Sequence, residues 1–498
     1  MLVQTGIIVA FGLYLLAMLA VGIYFSRRSQ DLSDYVLGGR GIGKWVTALS
    51  AQASDMSGWL LMGLPGLAYV SGFGESFWLA AGLALGTYLN WRLVAKRLRI
   101  YTKMANDSLT LSDFFENRFG DKTHLLRLIS SIFIVIFFTL YVSSGFIAGG
   151  KLFNTVFGIK YEYAILIGGG VLVLYTFLGG FFAVSWSDLI QGFIMLFAAI
   201  VVPIAALMSL GGSTPALEKI NQISPWMLSI TKDISGNNLS AIAIISSAAW
   251  GLGYFGMPHI LVRFMGIDSP KNIRDARIIG MIWVIISLAS AIFIGIIGRA
   301  YTAAAPLGGA DSEKIFMVMV QSLFFTFMAG ILLSAILAAI MSTADSQLLV
   351  AASSISEDFY KTFFKKDASQ ADLVKAGRIA VMIIAIVAYS ISLNPNSSVF
   401  KVVSFAWAGL GSTFGPVVLA ALFWRRATAK GALAGILAGG ITVIVWKNLS
   451  QHFGGIFSLY EIVPAFIISL AAIFIVSLID NEPPAEITEL FDKVKKEV

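Results

Sequence analysis

The sequence predicts an all-α, polytopic membrane protein, and three observations carry that expectation: its composition, the length of its apolar blocks and the placement of its basic residues. Of 498 residues, 57% are hydrophobic and only 13% charged, about half the charged fraction of a soluble domain. The apolar residues come in blocks of about 20 or more, the length a helix needs to cross a bilayer. The formal charge of +7 reads as basic loops against anionic lipid, so the expected partner is the lipid bilayer and not nucleic acid. The chain has no cysteine, which excludes disulfides and thiolate metal sites.

Thirteen spans are expected, near 2–26, 44–72, 76–99, 125–150, 161–183, 188–211, 239–263, 277–299, 316–354, 378–394, 399–424, 430–449 and 458–479. No basic residue precedes the first, and Arg27 and Arg28 follow it. A cleaved signal peptide has the opposite order, so the N-terminus is expected outside and the C-terminus in the cytoplasm. Of the 35 Lys and Arg residues, 27 fall in loops this topology makes cytoplasmic (Arg40, Arg118 and Arg263 among them) and 8, including Lys151, in external ones. That split follows the positive-inside rule. The 316–354 block is too long for one straight crossing and is expected to tilt or to extend beyond the bilayer. No soluble domain is attached; the longest polar stretches are 101–124, 212–238, 355–377 and the tail 480–498. Leu111 to Phe119 reads as a short amphipathic helix, either on the inner surface or within a loop.

Inside a membrane, ionisable residues and broken helices carry the information. Span two holds Ala53-Ser54-Asp55-Met56-Ser57-Gly58-Trp59, then Gly63-Leu64-Pro65-Gly66. A carboxylate there, among residues that tolerate unwinding, suggests carbonyl oxygens freed to hold a hard cation; the other reading makes Asp55 an exposed cap at a helix end. Span seven holds Trp250-Gly251-Leu252-Gly253-Tyr254-Phe255-Gly256-Met257-Pro258-His259. Three glycines and a proline make a regular helix unfavourable. Two interrupted helices, five spans apart, point to a transporter's binding site. Trp250, Tyr254 and Pro258, spaced by four, share one stripe of any helical remnant, either as a pocket wall or as packing; His259 reads as structural. In span nine, Ala339, Ser342 and Thr343 share a helix face, offering either hydroxyls for an oxygen-only cation site or a small-residue helix contact. Asp188 reads as an N-terminal cap of span six or an ion-exit residue. Asp345 reads as a partner for a cation or as facing cytoplasmic water.

At this point the strings become recognisable. Ala53 through Gly66, Trp250-Gly251-Leu252-Gly253-Tyr254-Phe255-Gly256, Ile331 through Ala339 with Met341-Ser342-Thr343, and Phe414-Gly415-Pro416-Val417-Val418-Leu419 resemble the sodium/solute symporter family, and within it the members that carry proline. The resemblance covers nearly the whole chain, least so the tail and external loops. It implies a leucine-transporter-type five-plus-five inverted repeat: a peripheral span and loop over 1–43, repeats over 44–238 (spans two to six) and 239–424 (spans seven to eleven), peripheral spans over 425–479 and a tail over 480–498. It implies Na+ as the co-transported ion, held by Ala53, Met56, Ala339, Ser342 and Thr343 with Asp55 needed for coupling. It implies L-proline as the solute, lined by Tyr141, Trp250, Tyr254 and Pro258 near Ser57 and Gly58. Asp188 matches a carboxylate that helps hold a second sodium in some members; with Asp345 and Ser346 it forms the expected second-ion or exit group. The expected localisation is the bacterial inner membrane.

Proline suits such a site: its carboxylate fits the amides of a broken helix, its ammonium the freed carbonyls and its ring an aromatic wall. Sugars would require more polar side chains. The alternatives are another small solute (pantothenate, a monocarboxylate, another amino acid), a solute sensor, or a channel. Enzymatic activity is not expected, since no nucleophile–base pair or metal-ligand cluster is present. The oligomeric state is left open, a monomer included.

Overall fold

The computed structural model describes residues 2–26, 36–176 and 180–498. Arg27 and Arg28, on which the orientation of the first span rests, lie outside the described residues, as does 177–179 within span five. In order the helices are α1 (Leu2–Ser26), α2 (Lys44–Met56), α3 (Gly63–Ser71), α4 (Phe73–Leu89), then a π-helical turn Asn90–Ala95 leading into α5 (Lys96–Met104). There follow α6 (Leu111–Phe119), α7 (Leu125–Phe157), α8 (Tyr161–Thr176), α9 (Phe181–Ser209), α10 (Ser213–Ile223), α11 (Ala241–Ala248), a 3-10 stretch Ala249–Gly256 and α12 (Pro258–Gly266). The rest are α13 (Ile273–Tyr301), α14 (Ile315–Leu323), α15 (Thr326–Ser353), a π-helical stretch Ser354–Phe364, α16 (Gln370–Ile391), α17 (Val399–Phe423), α18 (Ala429–His452), α19 (Ile462–Ile479) and α20 (Ala485–Glu497).

Among the described residues, nine helices are long and apolar enough to cross a membrane, ten when the pair bent by 47° in span seven is counted as one. The difference from thirteen falls on spans two, three and five. Span two is two helices of 13 and 9 residues. Span three is a 17-residue helix carried on by the π turn, and span five is described for only 16 residues. The core is built on α15 and α17, whose most apolar windows are 83% and 78% buried, against 33% for α1.

One expectation is corrected and two are sharpened. The 316–354 block is not one tilted helix: α14 ends at Leu323, Phe324 and Phe325 are extended, and α15 begins afresh at Thr326. Hydrophobicity ran unbroken across that turn and so could not report it. Residues 111–119 do form a helix, capped by Thr110, and Phe114 and Phe115 are wholly buried, so one face of it packs into the protein. Several basic residues assigned to loops are interior: Arg40, Arg99, Arg118, Arg263 and Lys151 are all buried. Arg40 and Arg99 donate to the Met265 and Ile267 carbonyls at 2.8 and 2.7 Å, and Arg118 to the Ala421 carbonyl at 2.8 Å. Each so neutralises the carbonyl end of a helix. The tail is helical too: α20 packs on α5, with Phe491 5.0 Å from the Arg118 guanidinium.

Spans three and seven approach each other through bare backbone. A Cβ added at Gly86 on α4 would land on the Gly251 backbone of span seven, whereas one at Gly170 would meet nothing within 4 Å. Gly86→Ala is expected to destabilise the purified protein by about 1–3 kcal/mol, the usual cost of overpacking. Gly170→Ala should leave thermal unfolding unchanged or slightly improved. Equal melting temperatures for the two variants would refute the close approach.

Candidate ion and solute site

α2 stops at Met56 because Ser57 adopts a left-handed backbone, φ 48°, and the chain turns through six residues before α3 begins at Gly63. Carbonyls in the last turn of a helix lose their helical donors. The Ala53 carbonyl instead accepts from two hydroxyls of α15, Ser342 Oγ at 2.8 Å and Thr343 Oγ1 at 3.5 Å. Ser342 Oγ also lies 3.3 Å from the Ala339 carbonyl. Four neutral oxygens from two helices thus converge in the interior. Such a set suits a hard, singly charged cation. No carboxylate belongs to it, and among the described residues no group of three or more His, Asp or Glu is placed to hold a metal.

Two residues on, Asp55 turns to a different neighbour. It is 4% exposed, which removes the exposed-cap reading, and its Oδ2 accepts the Tyr254 hydroxyl at 2.6 Å. Tyr141 Oη donates to the Asp55 main-chain oxygen at 3.3 Å. These groups, with Met56, Trp59, Leu83, Trp250, Val403 and Trp407, line one small cavity between the two breaks. Trp250 is stacked on Trp59 and Tyr460, at 5.4 and 5.6 Å between ring centroids, and packs against Phe400 at 5.3 Å. Tyr254 meets Trp407 edge to face at 5.1 Å.

Span seven does not keep α-helical periodicity. Residues 249–256 wind as a 3-10 helix, with three residues per turn, so a spacing of four does not make one stripe. Trp250 and Tyr254 reach the cavity; Pro258 does not line it but opens α12 at its first position. Gly58 faces Ala148 and Ile340, which makes it a packing residue, and Ser57 Oγ accepts the Trp59 amide at 3.1 Å. His259 packs against Phe138 and Tyr141. Trp59, Val403 and Trp407 were not singled out from the sequence. The signal available for Trp407 was Gly253, which gives its indole room.

Asp188 is not a helix cap, because α9 starts seven residues earlier at Phe181. Its Oδ2 accepts from Ser50 at 2.6 Å and from the Arg263 guanidinium at 3.3 Å. Arg263 also bonds Ser346, whose hydroxyl donates to the Ser342 carbonyl at 2.8 Å. A buried polar chain therefore runs from the Ala53–Ser342 oxygens to the Asp188–Arg263 pair. Asp345 is 1% exposed and does not face water.

Comparison with known proteins agrees with this arrangement. Residues 35–439 match the Sodium:solute symporter family. The chain is 48% identical over 497 residues to a sodium/proline symporter of Salmonella typhimurium, covering 99% of this chain and 97% of the relative. It is 48% identical over 477 residues to the high-affinity proline transporter PutP of Bacillus subtilis, covering 95% and 98%. In structure it resembles a Na+-coupled sialic acid symporter in a substrate-bound outward-open state, with TM-score 0.81, 21% identity, and 97% and 99% of the two chains covered. It also resembles the nucleobase-cation-symport transporter Mhp1, with TM-score 0.54, 12% identity, and 93% and 99% covered. Broken helices facing one another across a cavity, and a family match over most of the length, lead to one assignment: the chain belongs to the sodium:solute symporter family.

Proposed function

We propose that this chain couples entry of Na+ to uptake of L-proline by alternating access across the bacterial inner membrane. The observation that carries the choice of solute is 48% identity along 99% of the chain to a sodium/proline symporter. In this reading spans two to six and seven to eleven are the inverted repeats, the N-terminus is outside and the C-terminus is cytoplasmic. Sodium is held by Ala53, Met56, Ala339, Ser342 and Thr343, and the charge of Asp55 favours it from the cavity side. Proline lies against Trp250, Tyr254 and Tyr141, with Ser57, Gly58 and Pro258 shaping the breaks. Asp188, Ser346 and Asp345 line the way out or a second ion site.

The chemistry of coupling follows from the hydroxyls. Ser342 Oγ donates to the Ala53 carbonyl at 2.8 Å; a cation entering between them turns both oxygens' lone pairs toward itself and replaces an O–H···O=C bridge by an ion bridge. The end of α2 is then held to α15, and with it Asp55 and Met56 in the cavity wall. One Na+ moving down about 100 mV releases roughly 2.3 kcal/mol, and a tenfold gradient roughly 1.4 kcal/mol more. Together these sustain roughly a 500-fold proline gradient at one-to-one stoichiometry. Uptake of labelled proline into proteoliposomes should require sodium and should be competed by unlabelled proline above pantothenate or a monocarboxylate. Sodium-independent uptake, or stronger competition by another solute, would remove this reading.

Two sets of variants test the assigned roles. Ser342→Ala and Thr343→Ala should each raise the sodium concentration for half-maximal proline binding while expression is retained; wild-type sodium dependence in both would take them out of the site. Trp250→Ala should weaken proline binding at saturating sodium by on the order of 2 kcal/mol or more, through loss of a stacked wall.

Asp55 separates charge from geometry. Apparent sodium affinity should fall in the order wild type, Asp55→Glu, Asp55→Asn, because cation–carboxylate attraction is strong at low effective dielectric and only its reach changes in Glu. Sodium-stimulated proline binding should fall by the same coupling energy. The measurement is binding to purified protein, and an Asn variant with unaltered sodium affinity would end the charge-based account.

A further inference from the structure

One group of basic residues is gathered at a single place. Arg92, Lys96 and Arg97, from the π turn and α5, face Lys271, Arg274 and Arg277, from the turn before α13 and its first turns, across a single cleft. Among the described residues, no Asp or Glu lines it. The nearby acids are engaged elsewhere: Asp275 pairs with Lys44 at 2.6 Å, and Asp268 accepts from the Ser269 amide and Asn272. Of the contacts within the cleft, those of Arg97 and Arg277 are to neutral groups, whereas Lys96 is engaged by the last residue of the chain. Lys96 Nζ donates to the Val498 main-chain oxygen at 2.6 Å, Arg97 donates to the Leu422 carbonyl at 3.2 Å, and the Arg277 guanidinium lies 5.5 Å from the Tyr88 ring centroid. The other five charges, with no acidic side chain beside them among the described residues, call for an anion of more than one charge or several hydrogen-bond acceptors.

The cleft also has an apolar continuation. α13 and α4 pack side by side, and both lead away from the cleft into the span. On α13, Ile278, Ile282 and Ile285 follow Arg274 on one helical stripe and are 48%, 56% and 56% exposed. On α4, Leu85 precedes Arg92 by about two turns and is 59% exposed. A water-soluble anion has no use for that stripe. A molecule with a phosphate at one end and hydrocarbon at the other matches both parts.

We propose that this cleft binds the phosphate headgroup of an anionic phospholipid, whose acyl chains lie along the stripe between α4 and α13. Basic pockets between spanning helices have the chemistry for such headgroups. The π turn gives occupancy a route to the centre: Asn90, two residues before Arg92, donates to the Tyr254 carbonyl at 2.9 Å.

The test uses the full chain in neutral detergent, titrated separately with phosphatidylglycerol, phosphatidylcholine and inorganic phosphate, reading bound lipid by native mass spectrometry and stability by thermal unfolding. Phosphatidylglycerol should bind and raise the melting temperature; phosphatidylcholine and inorganic phosphate at equal concentration should do neither. The triple variant Lys271→Gln, Arg274→Gln, Arg277→Gln should lose on the order of a hundredfold in lipid affinity. A charge-matched control, Lys493→Gln, Lys495→Gln, Lys496→Gln, should keep it. Equal loss in the control would show diffuse surface attraction and overturn the site, and an equal response to inorganic phosphate would overturn the lipid. A photoactivatable phosphatidylglycerol on the wild-type chain needs no variant: crosslinks should map to residues 85–97 and 271–285, and crosslinks confined to other surfaces would refute the proposal.

Discussion

A backbone carbonyl inside a lipid-surrounded bundle has no water to turn to, and must find a donor within the protein. At Ser57, where φ is 48°, the chain breaks a helix in mid-span and creates that demand in the interior. A residue other than glycine in this region costs of order 1–3 kcal/mol, which the surrounding packing has to offset. The response is visible in α15. An ordinary core helix would present leucine to α2, but this one presents Ala339, Ser342 and Thr343, small enough to approach and polar enough to satisfy the Ala53 carbonyl.

The second break is satisfied differently, and the difference bears on where an ion can go. In span seven the Trp250 carbonyl accepts the Trp407 indole N–H at 2.8 Å, and the Tyr254 carbonyl accepts the Asn90 amide at 2.9 Å. An indole N–H or an amide NH2 can only donate; it can hold a carbonyl but cannot offer a lone pair to a cation. A hydroxyl both donates and accepts, so Ser342 and Thr343 can release the Ala53 carbonyl and join it as ligands. The two breaks differ in chemistry: the carbonyls of one are held by groups that only donate, that of the other by hydroxyls that can also accept.

Much of this was legible in the sequence, and the parts that were not have identifiable causes. Glycine, proline and a carboxylate inside apolar blocks marked both breaks, because each is costly there and persists only with a reason. The Ala339–Ser342–Thr343 face was legible because α15 keeps regular periodicity. The stripe through Pro258 failed because a 3-10 helix has a different period, and composition does not report which period a glycine-rich stretch adopts. The break at Phe324–Phe325 was silent because it contains no residue that disfavours helix strongly. Arg263 and Lys151 read as loop charges in the sequence because they sit at span ends; that Arg263 pairs with Asp188, 75 positions away, is a tertiary fact. Trp407 was missed for a similar reason: one more aromatic in an apolar span is indistinguishable from core until the glycine opposite it is known.

Ala53 and Asp55 are neighbours on one helix end, and their geometry bears on how two sites are linked. Residues two apart in an α-helix point about 200° from one another, so one face of the last turn of α2 meets the hydroxyls of α15 while the other meets Tyr254. On the proposed assignment, linkage between ion and solute needs no relay of side chains across the protein, because a single element would contribute to both sites and both would bias its position. If the ion draws the end of α2 toward α15, the cavity wall containing Asp55 and Met56 moves with it, and a solute that favours that position must strengthen ion binding in return. The strength of coupling is set by how freely that end moves when its carbonyl is held only by hydroxyls. A break locked as firmly as the one in span seven would bind its ligand but would have little conformational freedom through which to couple it.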